Sequence, residues 1–525
     1  MKIQAQNREQ TVLYSSLEDL ISTEHPVRII DYLIESLQKK NPETYKYKGE
    51  STTGRPAYPV TVMLKLFIYG CINRINSSRR LETETKRNIE LMWLLGNLTP
   101  DFKTIADFRK DNKELIKKCS KDVRTFLKCN GLVSCELISI DGTRLKANAN
   151  RDMLSESEII KRIVGLEEYI EYYINQMDCL DDQETEETST IVRMQEDYEK
   201  RITTMQSEIN LLRSALDKLQ SDNKNYISLT DFDCSKQKSR DGIIPGYNVQ
   251  IACDTKYGFI VADDVTVESN DINQLKPMVN EIQSELEISP ITTIADTGYC
   301  NYDDIEEIEA RGGNCFVPPQ KEQIKNSDIT FTYQEDNDRY ICSEGKYLIL
   351  KRKNKKYKNS YINVYVGESC QTCPLVEQCT ESKTGRHISR YQNQDYRDRH
   401  REKMETSAAK CMSKIRKSTI EPIFGTLKVW LGKIPLLTRG KPNVKTEIKI
   451  LTISFNIKKL MSLFSFKEIM SMINRYLGLD CQRTFNFSFI FIFFEIIFMQ
   501  SIMDCIIIFS KKTLFNRYDF NLCHI

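Results

Sequence analysis

Histidine, glycine and proline are scarce in this sequence. The 525 residues include only 4 His, 20 Gly and 14 Pro, whereas 40% of the residues are hydrophobic. A chain with this balance is not globally disordered, and it is long enough for two or three domains with their own cores. None of the four histidines lies in a candidate motif, so histidine-dependent chemistry is not expected.

The sequence also has no apolar signal segment where it begins, MKIQAQNREQ. Its 17 cysteines are an odd number, spread from Cys71 to Cys523. These two features favour a protein of the reducing cytoplasm. Most of the cysteines are expected to be buried as small hydrophobic side chains.

The formal net charge is only +2, but the charges are segregated along the chain. Residues 161–200 carry 12 acidic and 4 basic residues, whereas residues 401–460 carry 14 basic and 4 acidic residues. Residues 346–360 add seven cations and no acid. Separate basic surfaces on a neutral protein indicate a polyanionic partner, although one lysine-rich stretch is more often only a solvated face.

The hydrophobic pattern divides the chain into a helical part and a mixed part. Helical periodicity in the first 130 residues predicts a small α-helical domain. From residue 137 the period changes to two, and a helix over 273–286 separates the last two strands, which predicts an α+β domain with a mixed sheet over 131–465. The predicted strands are 137–141, 247–255, 259–267 and 291–296.

Two insertions interrupt the predicted sheet domain. Residues 155–228 carry apolar residues at heptad spacing, which predicts a helical hairpin or short coiled coil, most simply a spacer or dimerisation arm. Residues 320–400 form a polar insert rich in lysine and cysteine.

The C-terminal tail, residues 466–525, differs in kind from the rest. Its apolar run at 485–509 is long enough for a membrane helix, but Glu495, Gln500 and Asp504 interrupt it. We therefore favour a dispensable extension over a membrane anchor, and no membrane partner is expected.

Three carboxylates carry the strongest indication of chemistry. Asp141 ends the first predicted strand, in LISIDGTRLKANA, and Asp296 ends the fourth, in TIADTGY. One carboxylate at a strand end is usually a turn or cap residue. In a ribonuclease H-like sheet, however, the first and fourth strands are neighbours, and a helix packed on that sheet can add Glu421 from STIEPIFGTLK. Such an all-oxygen site suits two Mg²⁺ or Mn²⁺ ions and in-line displacement at phosphorus.

Several long stretches between about residues 10 and 465 resemble one known family. The chain resembles the DDE transposases of bacterial insertion sequences, in the branch whose type member is insertion sequence "eleven-eighty-two". The matching stretches are GRPAYPVTVMLKLFIYG, SSRRLE, PDFKTIADFR, SIDGTRLKANA, KSRDGIIPGYNVQIACD, ADTGY and IEPIFGTLK.

The resemblance implies a metal-dependent nuclease and strand transferase whose acidic triad is Asp141, Asp296 and Glu421. Related transposases have a Tyr-Arg-Glu-Lys signature, in which Glu421 and Lys428 take the last two positions. The Arg position holds Lys417, with an arginine beside it, and the Tyr position holds another lysine. Lys428 is a candidate phosphate ligand, for which a solvated surface lysine is the alternative.

The partner implied by this family is double-stranded DNA, both the terminal inverted repeats of the element and its target, bound by a dimer in a synaptic complex. The N-terminal helices are the candidate reader of the repeats. Basic residues of the other motifs are candidate contacts to DNA phosphates. The candidate DNA-binding residues are Arg79, Arg80, Arg144, Lys146, Lys238, Arg240 and Lys417.

Four cysteines could form a second metal site. Cys370, Cys373 and Cys379 follow Cys342 in the insert and could bind structural Zn²⁺ through four thiolates. Free cytosolic cysteines are an equally good interpretation, because the spacing is looser than in a standard zinc finger.

Two alternative functions remain open from the sequence. A catalytically idle transposase could act as an end-binding repressor, although all three acids are present. A nuclease of the same fold would cut DNA without strand transfer.

Overall fold

The computed structural model describes seven stretches of the chain, which fall into two compact units. The first unit ends at Met470 and the second begins at Ser471. No helix of the described stretches is long and apolar enough to cross a membrane, and the apolar run at 485–509 lies outside them. The described residues are 16–46, 57–181, 188–239, 242–320, 329–357, 360–432 and 436–479.

The N-terminal part is helical, as predicted. Side chains cap three of its helices. His25 accepts a hydrogen bond from the Val27 N–H at the start of α1 (Pro26–Lys40). Asn88 and Asp101 accept hydrogen bonds from backbone N–H groups in the first turns of α4 (Ile89–Leu94) and α5 (Phe102–Asp111). Two short 3₁₀ helices accompany them, Leu17–Leu20 and Pro42–Tyr45. The α-helices are α1 (Pro26–Lys40), α2 (Val60–Ile72), α3 (Ser78–Thr85), α4 (Ile89–Leu94), α5 (Phe102–Asp111) and α6 (Lys113–Cys129).

The predicted helical hairpin is present as α7 (Glu156–Asp181) and α8 (Thr188–Ser221). Its base is closed by an isolated β-bridge between Leu154 and Ile227. Apolar residues at heptad spacing, including Ile209, are buried in a separate small core between the two helices. The hairpin therefore packs largely on itself, as a heptad pattern requires.

Six strands form the central mixed sheet, in which β3 pairs antiparallel with β1, β2 and β4, and β5 runs parallel to both β1 and β6. Helix α9 (Leu275–Leu286) connects β4 to β5, and α10 (Tyr302–Ala310) connects β5 to β6. The α+β prediction is confirmed, while β2 and β6 were not predicted. The strands are β1 (Leu137–Lys146), β2 (Ser235–Ser239), β3 (Gly242–Asp254), β4 (Ile260–Thr266), β5 (Thr292–Ile294) and β6 (Asn314–Phe316).

The second insert contains a sheet that the sequence did not predict. Five antiparallel strands follow the order β11-β10-β9-β8-β7, around a small core of Tyr340, Leu348 and Tyr365. A short helix, α11 (Val376–Cys379), lies between the last two strands. The strands are β7 (Phe331–Gln334), β8 (Arg339–Cys342), β9 (Tyr347–Tyr357), β10 (Ser360–Gly367) and β11 (His387–Tyr391).

Four late helices follow, and two of them cover the central sheet. The main apolar core lies between β1 and β3 on one side and α13 and α14 on the other, with Val249, Ile423 and Leu451 among its members. Helix α14 also packs against α2, α6 and β4, so the N-terminal helices and the sheet share one compact unit. These helices are α12 (Gln394–Glu405), α13 (Ser407–Leu431), α14 (Lys441–Leu463) and α15 (Phe466–Leu477).

Candidate active site

Asp141 and Asp296 lie on neighbouring parallel strands. The pairing of β1 with β5 ends where Ser139 lies opposite Ile294. Asp141 and Asp296 each come two residues beyond this pair, and the charge of Asp296 acts on Asp141, which shows that the two carboxylates are near each other. Adjacent strands are about 4.8 Å apart. The topology therefore brings together two carboxylates that are separated by more than 150 residues in the sequence.

Asp141 lies in the middle of its strand rather than at the end. β1 remains paired with β3 as far as Lys146, which lies opposite Gly246. The prediction that Asp141 ends its strand is therefore wrong; it is β5 that ends here. Side chains alternate between the two faces of a strand, so Arg144 and Lys146 lie on the face opposite to Asp141. These two candidate DNA-binding residues therefore do not lie beside Asp141 at the end of a strand.

The electrostatics of Asp141 reflect this crowding. Burial of the side chain and the negative charge of Asp296 raise the pKa of Asp141 to about 6, against the opposing effects of the Gly142 N–H and the Arg416 guanidinium. The Gly142 N–H donates to Asp141 Oδ1 at 2.8 Å, and the Gly298 N–H donates to Asp296 Oδ1 at 2.8 Å. Two carboxylates in one partly buried site favour the binding of a cation.

Glu421 is linked to Asp141 through one arginine of α13, the helix that packs against β1, β5 and β6. Arg416 Nη1 donates to Asp141 Oδ2 at 2.8 Å, and Arg416 Nη2 lies 3.7 Å from Glu421 Oε1. The Glu421 side chain is 57% exposed, so it is open to a ligand. Sequence reasoning assigned the arginine position of the signature to Lys417. In the structure Arg416 makes these contacts and Lys417 is exposed to solvent.

A fourth carboxylate, Asp271, lies close to this site and was missed from the sequence. It follows β4 in a polar loop and is buried. Its Oδ1 accepts hydrogen bonds from Asn248 Nδ2 at 2.6 Å and Gln250 Nε2 at 2.9 Å, and its Oδ2 accepts one from Arg144 Nη2 at 2.8 Å. No local sequence motif marks this residue, because its three partners lie on β1 and β3, distant in the sequence, and only the fold brings them to it.

Tyr299 connects the Asp271 network to the loop that carries Asp296. The Tyr299 hydroxyl donates a hydrogen bond to Gln250 Oε1. Burial, followed by the negative charges of Asp271, Asp141 and Asp296, raises the pKa of Tyr299 well above its usual value. The hydroxyl therefore stays protonated and remains a donor. This chain of bonds fixes the loop on which Asp296 sits.

The glycine after Asp141 is required by the close approach of this network. A Cβ at Gly142 would lie 2.6 Å from Gln250 Nε2 and 3.1 Å from Asp271 Oδ1. Any side chain at this position would displace the Gln250 amide, so the Asp-Gly pair of LISIDGT has a packing reason.

The predicted basic residues near the acids are distributed over two elements. Lys428 lies two helical turns after Glu421 on α13 and shares a small cavity with Thr143 of β1, on the Asp141 face of that strand. Lys146 is exposed at the end of β1. The guanidinium of Arg144 is engaged with Asp271, which ties it to the polar network rather than to solvent.

The remaining predicted DNA contacts lie away from the acids. Arg79 and Arg80 are exposed on α3, and the Arg79 guanidinium lies 5.2 Å from the centre of the Phe102 ring. Lys238 is exposed on β2, while Arg240 lies outside the described residues. Their contact with DNA stays a prediction.

The four cysteines of the insert gather around one cavity. Cys342, Cys370, Cys373 and Cys379 all line a space of about 30 Å³. Burial raises the pKa of Cys379, opposed by the charge of Arg386 and reinforced by the three other thiols. Cys342 ends β8, and the other three cysteines lie on the segment between β10 and β11, so the fold of the insert brings all four to one cavity.

Within the described residues, no group of three or more His, Cys, Asp or Glu side chains is arranged to hold a metal ion. In the carboxylate cluster, the Arg416 guanidinium lies between Asp141 and Glu421. The donor chemistry of the cluster nevertheless fits a hard divalent cation, because its ligands are all carboxylate oxygens and their crowding raises the pKa of Asp141.

Two family models match the chain. The "Transposase domain (DUF772)" model matches residues 15–111, which contain α1 to α5. The "Transposase DDE domain" model matches residues 341–461, which run from β8 to α14 and include Glu421. Asp141 and Asp296 lie outside both matches, so their pairing depends on the sheet geometry.

A solved structure, the cryo-EM structure of the piggyBac transposase synaptic complex with hairpin DNA, aligns with 89% of this chain and 84% of its own. The sequence identity is 10% and the TM-score is 0.29, which does not establish a common fold. No curated protein matches the chain.

Proposed function

Because the chain belongs to the DDE transposases of insertion sequences, we propose that it cuts DNA at the ends of such an element and joins the freed 3′ ends to target DNA. The observation that carries this proposal is the convergence of Asp141 and Asp296 in the register of β1 and β5, with Glu421 linked to Asp141 through Arg416.

We also propose that the central sheet is ribonuclease H-like. Its main strands lie in the order β4-β3-β1-β5-β6. β3 is antiparallel to its neighbours β1 and β4, whereas β5 and β6 run parallel to β1. That order supports the assignment of residues 131–465 to a DDE catalytic domain. Residues 1–130 would then recognise the element ends, and residues 466–525 would form a tail outside the family domains.

The carboxylates would hold the cation on which this chemistry depends. A divalent cation, or a pair of them, held by Asp141, Asp296 and Glu421 would activate the attacking oxygen and stabilise the leaving 3′ oxygen. Arg416 neutralises Asp141 and Glu421 in its absence. The Asp271 network holds the Asp296 loop in position through Gln250 and Tyr299.

Other side chains of this chain would bind and orient the DNA. Lys428 is two turns from Glu421 and would hold a phosphate beside the acids, as a point charge on a flexible stem. Lys417 and Lys146 would add non-specific phosphate contacts. Arg79 and Arg80 on α3 would contact the terminal repeats, with two copies of the chain bridging the two ends.

The proposal is tested by incubating the purified protein with a labelled element end, Mg²⁺ and a target plasmid. Wild type is expected to cut the end and to form joined products, whereas Asp141→Asn, Asp296→Asn and Glu421→Gln should bind the end without cutting it. Cutting that survives all three substitutions would refute the site assignment.

Two other outcomes would identify the alternative functions. Cutting without joined products would indicate a nuclease rather than a transposase. End binding without cutting, with Mg²⁺ and with Mn²⁺, would indicate a repressor derived from a transposase. Light scattering of the protein with and without end DNA would measure whether a dimer assembles.

A further inference from the structure

A cleft separate from the carboxylate cluster lies between α13, the C-terminal part of α14 and the turn that joins β3 to β4. It has a volume of about 560 Å³ and is lined by residues of all three elements, including Gly258, Thr426 and Lys459. This volume is in the range of about 300–1,000 Å³ that is typical of ligand sites. We call it the α13–α14 groove.

The charge of the groove is of one sign. Three lysines line it, Lys256, Lys458 and Lys459, and no aspartate or glutamate does. Neither Lys458 nor Lys459 forms an ion pair with a carboxylate of the described residues. A Cβ at Gly258 would lie 3.7 Å from Lys459 Nζ, so this ammonium group lies over the turn that forms one wall. A concave surface lined by lysines and without carboxylates attracts anions.

The remaining lining of the groove is partly polar and partly aromatic. Ser418 and Thr426 lie on the wall formed by α13, and Trp430 and Phe455 lie at its base, with ring centres 6.2 Å apart. Both hydroxyls donate to backbone carbonyls of α13, which leaves their lone pairs on the wall. This lining of lysines, hydroxyl groups and aromatic rings is unlike an apolar pocket for a small hydrophobic ligand. It suits a ligand with charged and apolar parts.

The position of the groove relates it to Glu421. Ser418, Pro422 and Thr426 recur every four residues and form one row along α13. Glu421 directly precedes Pro422 and lies about 100° around the same helix. Both Glu421 and Pro422 are exposed, so the carboxylate and the adjacent row of the groove are both accessible from solvent.

We propose that the α13–α14 groove binds the phosphodiester backbone of the DNA strand next to the scissile phosphate, with Lys458 and Lys459 contacting phosphates. This inference rests on the proposed function and deepens it, since it assigns a path for the strand beyond the carboxylates. The contacts are independent of base sequence, because ammonium groups contact only phosphate oxygens.

The test measures the affinity of the full chain for a fluorescent DNA duplex by anisotropy over a series of salt concentrations. Each phosphate contact contributes about 1 to the slope of log K against log salt. The Lys458→Gln/Lys459→Gln double variant is expected to bind with a slope that is smaller by about 2. The Lys458→Arg/Lys459→Arg variant keeps the charges and should keep the wild-type slope.

A matched control removes two lysines elsewhere. Lys161→Gln/Lys200→Gln makes the same charge change on the exposed surface of the helical hairpin and should leave the slope unchanged. An unchanged slope in the groove variant, or an equal decrease in the control, would overturn the inference. Thermal unfolding of each variant checks that the surface changes leave the fold intact.

The experiment separates failure of the groove from failure of the proposed function. If wild type cuts DNA while the groove variant binds with the wild-type slope, the DNA-binding role of the groove is refuted and the proposed function stands. If no divalent metal supports cutting but the slope still falls by about 2 in the groove variant, the groove binds DNA and the catalytic proposal fails.

Discussion

At the scale of single residues, the carboxylates of the site are held in an arrangement that costs stability in the absence of a cation. Asp141 is partly buried beside Asp296, and its negative charge is offset by the Gly142 N–H and the Arg416 guanidinium. Such a conflict between stability and local charge is typical of functional sites.

We expect Asp141→Asn to be more stable than wild type at pH 8 in EDTA. The pKa of Asp141 is raised to about 6 in the folded protein, so ionisation of this carboxyl group destabilises the fold. Its contribution to the free energy of unfolding is fully present below the unfolded pKa of about 4 and is lost as pH rises through 6. The difference in the free energy of unfolding should be roughly 1–3 kcal/mol at pH 8 and smaller at pH 5. Urea unfolding at both pH values measures it. A variant less stable than wild type at pH 8 would show that the Arg416 contact outweighs the crowding.

Asp271→Asn tests the polar network behind the acids. Loss of the charge weakens the bonds from Asn248, Gln250 and Arg144, so the Asp296 loop loses its fixed position. We expect cutting to fall roughly 10- to 100-fold, as for other residues that orient metal ligands, with a higher Mg²⁺ requirement and unchanged DNA affinity. The control is Asp264→Asn, a carboxylate of β4 that pairs with Lys445. Equal loss in both variants would contradict a specific role.

At the scale of elements, the sequence predicted those strands whose residues are apolar or β-branched. β1, β3, β4 and β5 were found from their period of two, and α9 was found from its helical pattern. β9 of the second insert was missed because it is rich in lysine and the small core of the insert buries few side chains. β10, SYINVYVG, is rich in aromatic and β-branched residues, so its strand signal was present in the sequence and was overlooked within a polar insert.

The candidate site was predictable in part for a related reason. Asp141, Asp296 and Glu421 lie in motifs that can be recognised along the chain. Asp271 acts through partners on β1 and β3, so only the register of these strands reveals it. Arg416 and Lys417 could not be distinguished from the sequence, because the choice depends on which side chain faces β1.

The small core of the second insert leads to a prediction about zinc. We propose that Cys342, Cys370, Cys373 and Cys379 bind one Zn²⁺, which would stabilise a sheet with few buried residues. Purified wild type is expected to contain about one zinc per chain by mass spectrometry, and Cys370→Ser/Cys373→Ser about none. Cys179→Ser, on exposed α7, is the control. Zinc-free wild type purified under reducing conditions with zinc supplied would contradict the prediction.

At the scale of the whole molecule, buried charges connect the N-terminal helices to the central sheet. Arg124 of α6 forms ion pairs with Asp263 of β4 and Glu285 of α9, and all three are buried. Burial alone would raise the pKa of Asp263, but the charges of Lys449 and Arg124 hold that pKa below its usual value. The helices that would bind element ends are thus fixed to the sheet that carries the acids.

Arg124→Met should destabilise both parts together. Removing the guanidinium takes one ion pair from each of two buried carboxylates, Glu285 and Asp263, although Asp263 keeps its pair with Lys449. Breaking a buried pair in this way costs about 3–5 kcal/mol in comparable sites. We expect a single unfolding transition at lower urea concentration when followed by circular dichroism. The control is Arg311→Met, at an exposed ion pair with Glu307. Two separate transitions, or a loss no larger than that of the control, would contradict this coupling.

The convergence of Asp141, Asp296 and Glu421 on one divalent cation is tested most directly by iron-mediated cleavage of the protein itself. Fe²⁺ replaces Mg²⁺, and hydroxyl radicals generated with ascorbate and peroxide cut the backbone beside the bound ion. The expected cuts lie near residues 141, 296 and 421, are suppressed by excess Mg²⁺ and are absent in Asp141→Asn/Asp296→Asn. Cuts at only one of these positions, or cuts that Mg²⁺ does not suppress, would contradict a shared site.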